Sequence, residues 1–389
     1  MGGNALMFAH TERKNKEQYT EITRTVIDKL CELFPATEMA AIKSIEGKET
    51  FGDCDILLVD KNLPANWIYQ VQQAFHTKEM LINRLGGGPL RFIDPNIALE
   101  VEHVALHDGS HYDVPQSAIP SSTVSFAFED FQIDLMITQP EDFEIAQIYY
   151  AYNDLGNLMG RIADAMGFKF GWSGLWKNLD EGSETYAKLC VSRDPRPIFE
   201  LLGYDYDRYL VGFESFENMY EYAASSQWFH SALYQFENRN HKDRVRDEKR
   251  ASYRGFVAWL EGKPWLNKHT WTRYELGTNP PARVREKEAH LRRALSRHTS
   301  FRLSVDIEKR RYVAVKGAKK IWNGEIISKL TGFTGMELGD FMRHCKETTY
   351  WEGEFVSFEE LLYVRRHAIN VPAMVRDRLQ HFKRKVDDA

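Results

Sequence analysis

Three aspartates raise the chemical question. Asp53 and Asp55 stand two residues apart in Phe51-Gly52-Asp53-Cys54-Asp55, directly before the apolar run Ile56-Leu57-Leu58-Val59. Such a run predicts a buried strand, and in a strand residues i and i+2 point to the same face. Both carboxylates can therefore reach one site. Asp134 lies in a second short apolar run, Ile133-Asp134-Leu135-Met136-Ile137, and joins that face if the two strands are neighbours. Paired hard oxygen ligands suit Mg²⁺, with Mn²⁺ as a substitute, because such ions take a few carboxylates and keep places for water and phosphate. Two ions about 4 Å apart, bridged by such carboxylates, would polarise an attacking hydroxyl and neutralise a leaving pyrophosphate. An Asp-x-Asp pair alone is also common where a turn runs into a strand, so its surroundings decide.

Several elements are legible around these residues. Tyr19, Ile22, Val26, Leu30 and Leu33 recur at three- and four-residue spacing and predict an amphipathic helix from Asn15 to Phe34. Ala40 to Ile45 leads toward the Asp53 strand. Ala74 to Pro120 is rich in turn residues (Gly86-Gly87-Gly88-Pro89, Asp94-Pro95-Asn96) and predicts loops and short strands. Val124 to Thr138 reads as a strand carrying Asp134. Glu141 to Met166 is helical with a break near Asn153 to Gly156, and Gly167 to Leu179 reads as the loop that closes a first domain. Beyond Asp180 helical stretches rich in aromatics and charges dominate, with Pro280-Pro281 as a boundary. The expected domains are 1–180, a helical 181–280 and a helical 281–389.

The 389 residues, 43% hydrophobic and 28% charged, suffice for two or three domains with their own cores. Lys and Arg total 51 against 56 Asp and Glu, a net charge of -5, so only local basic patches can attract nucleic acid. Cys31, Cys54, Cys190 and Cys345 form no CxxC pair, which argues against a zinc site or disulfide framework and for a reducing cytoplasm. No secretory signal is evident, and no apolar run approaches the roughly 20 residues of a membrane span.

Lys43-Ser44-Ile45-Glu46-Gly47-Lys48-Glu49-Thr50-Phe51-Gly52-Asp53-Cys54-Asp55 resembles the active-site segment of family X DNA polymerases in the nucleotidyltransferase superfamily. There a Gly-Ser turn, a Gly-Lys-Glu-Thr-like stretch and Gly-Asp-x-Asp follow in order. Asp134, Pro140 and the run from Tyr149 to Arg161 resemble that family's third catalytic aspartate, its Tyr-Phe-Thr-Gly-Ser pivot, and the Asn and Arg of its nucleotide-facing helix. The resemblance implies an α/β (α+β) polymerase beta-like nucleotidyltransferase domain whose catalytic metal ligands are Asp53, Asp55 and Asp134, holding two Mg²⁺ ions. It further implies that Tyr149 and Tyr150 border the sugar of a nucleotide, that Asp154 lies against its base, and that Asn157 and Arg161 reach base or primer. Gly52 belongs to the same nucleotide-binding group. Core packing is the ordinary reading of the two tyrosines, whereas a buried Arg161 needs a partner.

This chain departs from the family at the turn: Lys43 stands for its glycine, and Ile45 and Glu46 for the usual arginines. Ser44, through its hydroxyl, and Lys48, as a point charge, are then the phosphate donors. Asn153 interrupts the pivot, so a preference for ribo- or deoxyribonucleotides does not carry over. The segment ahead of Ser44 is too short for the helix-hairpin-helix lyase and fingers modules of those polymerases. Helices following the core are more like the order in CCA-adding enzymes and poly(A) polymerases, and Trp322 to Met342 resembles a helix-Gly-turn-Gly-helix element of bacterial CCA-adding enzymes.

Two basic clusters fit a nucleic-acid partner. The first, Arg239 to Arg254, is interleaved with Asp243, Asp247 and Glu248 and equally suits a solvated, internally paired helix face. The second includes Arg292, Arg293, Arg310, Arg311, Lys319 and Lys320 and meets fewer acids, with Phe301, Tyr312 and Trp322 nearby for base stacking. The expected activity is transfer of nucleotides from (d)NTP to the 3′-hydroxyl of tRNA or DNA. Transfer to a protein or small acceptor, and a non-catalytic nucleic-acid-binding protein of the same fold, are the alternatives.

Overall fold

The computed structural model describes residues 5–7, 9–77, 79–83, 90–93, 123–272, 280–348, 357–366 and 369–387, with backbone alone at 83, 90–93, 280, 281 and 383–387. It divides into two compact units. The first comprises Met1–Lys177 with Cys190–Ala294, the second Asn178–Leu189 with Leu295–Ala389. A mixed α/β region is followed by a mainly helical one. The expected division at 180 and 280 differs: most of the middle helical segment belongs to the same unit as the sheet. The turn clusters at 86–89 and 94–96 lie outside the described residues.

Strand β1 (Lys14–Asn15) runs into helix α1 (Lys16–Leu33), whose start is fixed by a capping box. Asn15 Oδ1 accepts from Gln18 N at 2.9 Å, and Asn15 N donates to Gln18 Oε1 at 3.1 Å. There follow β2 (Met39–Ala41), β3 (Thr50–Phe51), β4 (Asp53–Val59), α2 (Trp67–Phe75), β5 (Glu79–Asn83), β6 (Leu90–Ile93), β7 (Thr123–Phe128) and β8 (Phe131–Thr138). They form a six-stranded sheet in the order β2-β4-β8-β7-β5-β6, in which β4 and β8 are parallel and every other neighbour is antiparallel. One strand was expected over 124–138. Two are present, because Glu129 and Asp130 both adopt left-handed φ (51° and 54°), the conformation a two-residue hairpin turn requires.

Strand alternation sorts the two faces. Cys54, Ile56, Leu58, Ile133, Leu135, Ile137, Val124 and Phe126 pack against Ile22, Val26 and Leu30 of α1 and Trp67, Val71 and Phe75 of α2. Each such burial contributes on the order of 1.5–3 kcal/mol. On the opposite face Leu57 and Val59 pack against Phe143, Ala146 and Tyr150 of α3 (Phe143–Tyr150). Helix α4 (Leu155–Met166) follows after Tyr152 and Asn153, both left-handed. Gly156 is needed here, since a Cβ would stand 2.1 Å from Tyr149 O. The expected loop at 167–179 instead holds β9 (Lys169–Gly171) and most of β10 (Gly174–Glu181), which with β11 (Glu184–Ser192) make a three-stranded sheet.

The first unit continues with α5 (Pro195–Leu202), α6 (Tyr206–Val211), α7 (Phe216–Ala223), α8 (His241–Glu248) and α9 (Ala251–Leu260). Aromatics fill this core: Phe199, Tyr222, Phe229, Tyr234, Tyr253, Phe256 and Trp271 are fully buried. Helix α10 (Pro280–Arg297) starts on a proline, which lacks an N–H the first turn does not use. The second unit contains α11 (Thr299–Ala318), α12 (Gly324–Thr331), α13 (Gly335–Thr348), α14 (Phe358–Val364) and α15 (Val371–Asp387) around Trp322, Ile327, Phe341, Phe358 and Leu362. Gly332 and Gly335 turn α12 into α13 with φ of 81° and 57°. Among the described residues no helix is long and apolar enough to cross a membrane.

Candidate active site

Parallel pairing of β4 with β8 sets Asp55 opposite Asp134 and Asp53 opposite Gln132. Alternation then puts all four side chains on one face, at the end where β4 begins. This face is the one covered further along by α3, while Cys54, on the other face, packs beneath α1 and contacts Thr23 Oγ1 at 3.3 Å. The three aspartates are half-buried, and Gly52 is buried at the bend that leads into β4.

Their charges act on one another. Burial, then Asp53 and Asp134, push Asp55 well above the ordinary carboxylate range, with Lys48 opposing. Asp134 is held up to about 6 by burial and by Asp53, opposed by hydrogen bonds from Ser125 and Gln132. Lys48 is itself pushed down by burial although Asp53 and Asp55 favour its charge, and its Nζ lies 4.6 Å over the Phe51 ring. Lys48 is thus set against Asp53 and Asp55, while Asp134 adds to the negative charge on Asp55. An excess of hard, negatively charged oxygen donors at one spot is the donor set a divalent cation requires. As the side chains stand, among the described residues no three His, Cys, Asp or Glu groups converge as ready ligands. Asp134 is occupied by Gln132, whose Nε2 is 3.0 Å from both carboxylate oxygens.

The segment expected to grip phosphate is pinned by the protein itself. Tyr152 N donates to Lys43 O at 2.8 Å, Glu46 N to Phe213 O at 3.0 Å and Gly47 N to Glu214 O at 2.8 Å. A Cβ at Gly47 would stand 2.6 Å from Glu214 O, so this close approach needs glycine. Ser44 Oγ is buried without a hydrogen-bond partner, and Ser44 lines a cleft of about 410 Å³ with Tyr19, Thr23, Arg24 and Ile42. Among the described residues Ser44 and Lys48 therefore keep a donor not spent on a hydrogen bond or an ion pair, whereas the backbone amides of Glu46 and Gly47 do not.

Tyr149 and Tyr150 pack edge to face with centroids 5.4 Å apart. Burial, then Tyr149 and Asp55, push the Tyr150 hydroxyl above its ordinary range, so Tyr150 adjoins the carboxylates. Tyr149 leans on Phe170 at 5.4 Å and feels Arg246, Arg250 and Arg161. Asp154, Asn157 and Arg161 are joined to helices α8 and α9 instead of an open cleft. Asp154 accepts from Arg250 Nη1 and Ser252 Oγ, Asn157 Nδ2 donates to Asp247 Oδ1 at 3.3 Å, and Arg161 Nη1 meets Asp243 Oδ2 at 3.3 Å. Arg239 adds bonds of 3.0 Å to both Asp243 and Asp247, the latter fully buried.

The six cations named above from the second basic cluster fall in two units, Arg292 and Arg293 in the first and Arg310, Arg311, Lys319 and Lys320 in the second. Arg293 lies 5.3 Å over the Trp228 ring, and Arg292 pairs weakly with Glu288 at 4.0 Å. Arg310 is committed to the buried Glu360 at 2.7 Å, and Arg311 to Glu308. Lys319 and Lys320 are exposed, with no ion pair among the described residues. Two site residues escaped the sequence reading, Gln132 and Ser125. Gln132 carried a signal, standing two residues before Asp134 on the same strand face; Ser125 becomes a neighbour only through the β7–β8 pairing. A scan against models of known protein families matches none, and no curated protein matches the chain.

Proposed function

We propose that this protein is a divalent-metal-dependent nucleotidyltransferase with a polymerase beta-like catalytic domain, adding nucleotides from (d)NTP to the 3′-hydroxyl of a nucleic acid with release of pyrophosphate. The observation that carries this reading is the β4–β8 register, which sets Asp55 beside Asp134 with Asp53 on the same face, under mutual repulsion. Asp53, Asp55 and Asp134 would hold the ions, two Mg²⁺ with Mn²⁺ as a substitute. When bound, such ions lower the pKa of an attacking hydroxyl and offset charge on the transferring phosphate.

The chain's own groups supply the rest. Lys48, next to Asp53 and Asp55, offers a cation to the phosphates, and the unpartnered Ser44 hydroxyl offers a donor. Tyr150 walls the carboxylates, and the arginine network fixes α4 behind it. Of the six cations expected to contact nucleic acid, Lys319 and Lys320 hold no ion pair among the described residues and so support contact with an acceptor's phosphates. The competing reading, a non-catalytic nucleic-acid binder, is favoured by the amides of Glu46 and Gly47 being spent on Phe213 and Glu214.

The test is incubation with Mg²⁺ or Mn²⁺, labelled NTPs or dNTPs, and a panel of tRNA, single-stranded and primed DNA. Label on one acceptor class, lost in Asp53→Ala, supports transfer. Label that survives Asp53→Ala refutes the site, and binding of acceptor without any label supports the binder.

A further inference from the structure

The carboxylate face of the sheet has a second wall, made by the N-terminal segment. Ala5 N donates to Gln132 Oε1 at 2.9 Å. Met7 N donates to Glu79 at 3.1 and 3.0 Å, Ala9 N to Glu79 Oε2 at 3.0 Å, and Glu12 N to Asp130 O at 2.8 Å. Glu79 is 1% exposed, and a buried carboxylate is costly unless hydrogen-bonded, so strap and strand β5 stabilise each other. Register places Glu79, Ser125, Gln132 and Asp134 on one face: Asp134 pairs with Ser125 and Ser125 with Leu81, two residues from Glu79.

The strap decides which way Gln132 points. A carboxamide has an acceptor at one end and donors at the other. Because Ala5 N–H engages Oε1, Nε2 is left facing Asp134, 3.0 Å from each of its oxygens. Turned over, the amide would set its oxygen against the carboxylate.

We propose that Gln132, held in this orientation by the strap, is the positioning residue for Asp134 and sets the affinity of the carboxylates for a divalent cation; this rests on the metal-site reading above. Groups hydrogen-bonded to ligating carboxylates are commonly worth roughly 10–100-fold in metal affinity. The experiment measures Mn²⁺ affinity of the full chain, without nucleotide, from the paramagnetic resonance signal of the free ion. Gln132→Met keeps the side-chain length and removes the amide, while Ala5→Pro removes a single N–H from the strap. Binding is expected to weaken about tenfold in Gln132→Met and about threefold in Ala5→Pro. A cooperative thermal transition in each variant shows that it is folded, and a purely structural role would move that transition without moving Mn²⁺ affinity.

Asp53→Asn is the control. Unchanged affinity in Gln132→Met and Ala5→Pro, with binding still lost in Asp53→Asn, overturns the role of Gln132 and leaves the metal site standing. Mn²⁺ binding indifferent to Asp53→Asn overturns both. If Gln132→Met does not fold, Ala5→Pro alone decides.

Discussion

Asp247 and Asp55 are both aspartates drawn out of water, and the structure treats them in opposite ways. Asp247, with Asp154 and Asp243, is met by Arg161, Arg239, Arg246 and Arg250, so each of these three carboxylates has a guanidinium within reach. Asp55, beside Asp53 and Asp134, is opposed among the described residues by Lys48, and burial and like charge hold the Asp55 and Asp134 carboxyls above the ordinary range. The first arrangement locks α4 to α8 and α9. The second is destabilising as it stands, and under the proposed function it is the one that a bound cation would stabilise. A residue type alone does not mark function; the missing counter-charge does.

The contrast can be broken in four places. Removing a ligand acts on chemistry: Asp53→Ala should lower nucleotide incorporation by at least about 10³-fold, several kcal/mol of transition-state stabilisation, while the fold persists. A mutant that retains half its rate would contradict the assignment. Removing a compensated charge acts on stability instead: Asp247→Ala takes the buried carboxylate away from Arg239 and Arg246, leaving both to Asp243, and should cost about 3 kcal/mol in denaturant unfolding. A loss under 1 kcal/mol would show that the network is decorative.

A smaller effect has the opposite sign. Asp134 holds its proton up to about 6, above the ordinary value of 3.8, so the folded state binds more protons between those limits. Its contribution is fully present below the lower pKa and lost as pH rises through about 6. Asp134→Asn should therefore stabilise the metal-free protein at pH 7.5 by about 1–3 kcal/mol and make no difference near pH 3.5. Equal stability at both pH values would remove the repulsion argument. Least of all, Lys319→Ala with Lys320→Ala should leave the melting temperature unchanged but reduce the salt slope of nucleic-acid binding by about 1 per lysine. An unchanged slope would take these two cations off the interface.

Local signals told much of the N-terminal fold and which side chains of one strand share a face. The apolar spacing of Tyr19 to Leu33 gave α1 within a residue of its ends, and the break at Asn153 to Gly156 is where α3 stops and α4 begins. Glu129-Asp130 hid a hairpin, since neither residue is a usual left-handed pair. Helix α2 carries Trp67, Ile68, Val71 and Phe75 at helical spacing, a pattern local enough to be read from sequence. Asp53 and Asp55 share a face by strand alternation alone, but Asp134 joins them through a pairing between distant segments. The family resemblance sets Asp154, Asn157 and Arg161 beside a nucleotide; the partners they hold in the fold lie 82 to 98 residues further on, where no local motif reaches.

The most direct test is crystallographic. Crystals of the full chain soaked with Mn²⁺ and a non-hydrolysable (d)NTP should show anomalous density about 2.1 Å from carboxylate oxygens of Asp53, Asp55 and Asp134, with Gln132 Nε2 keeping a hydrogen bond to one oxygen of Asp134. Nucleotide bound with no metal density at these three residues, or metal held elsewhere, would contradict the account.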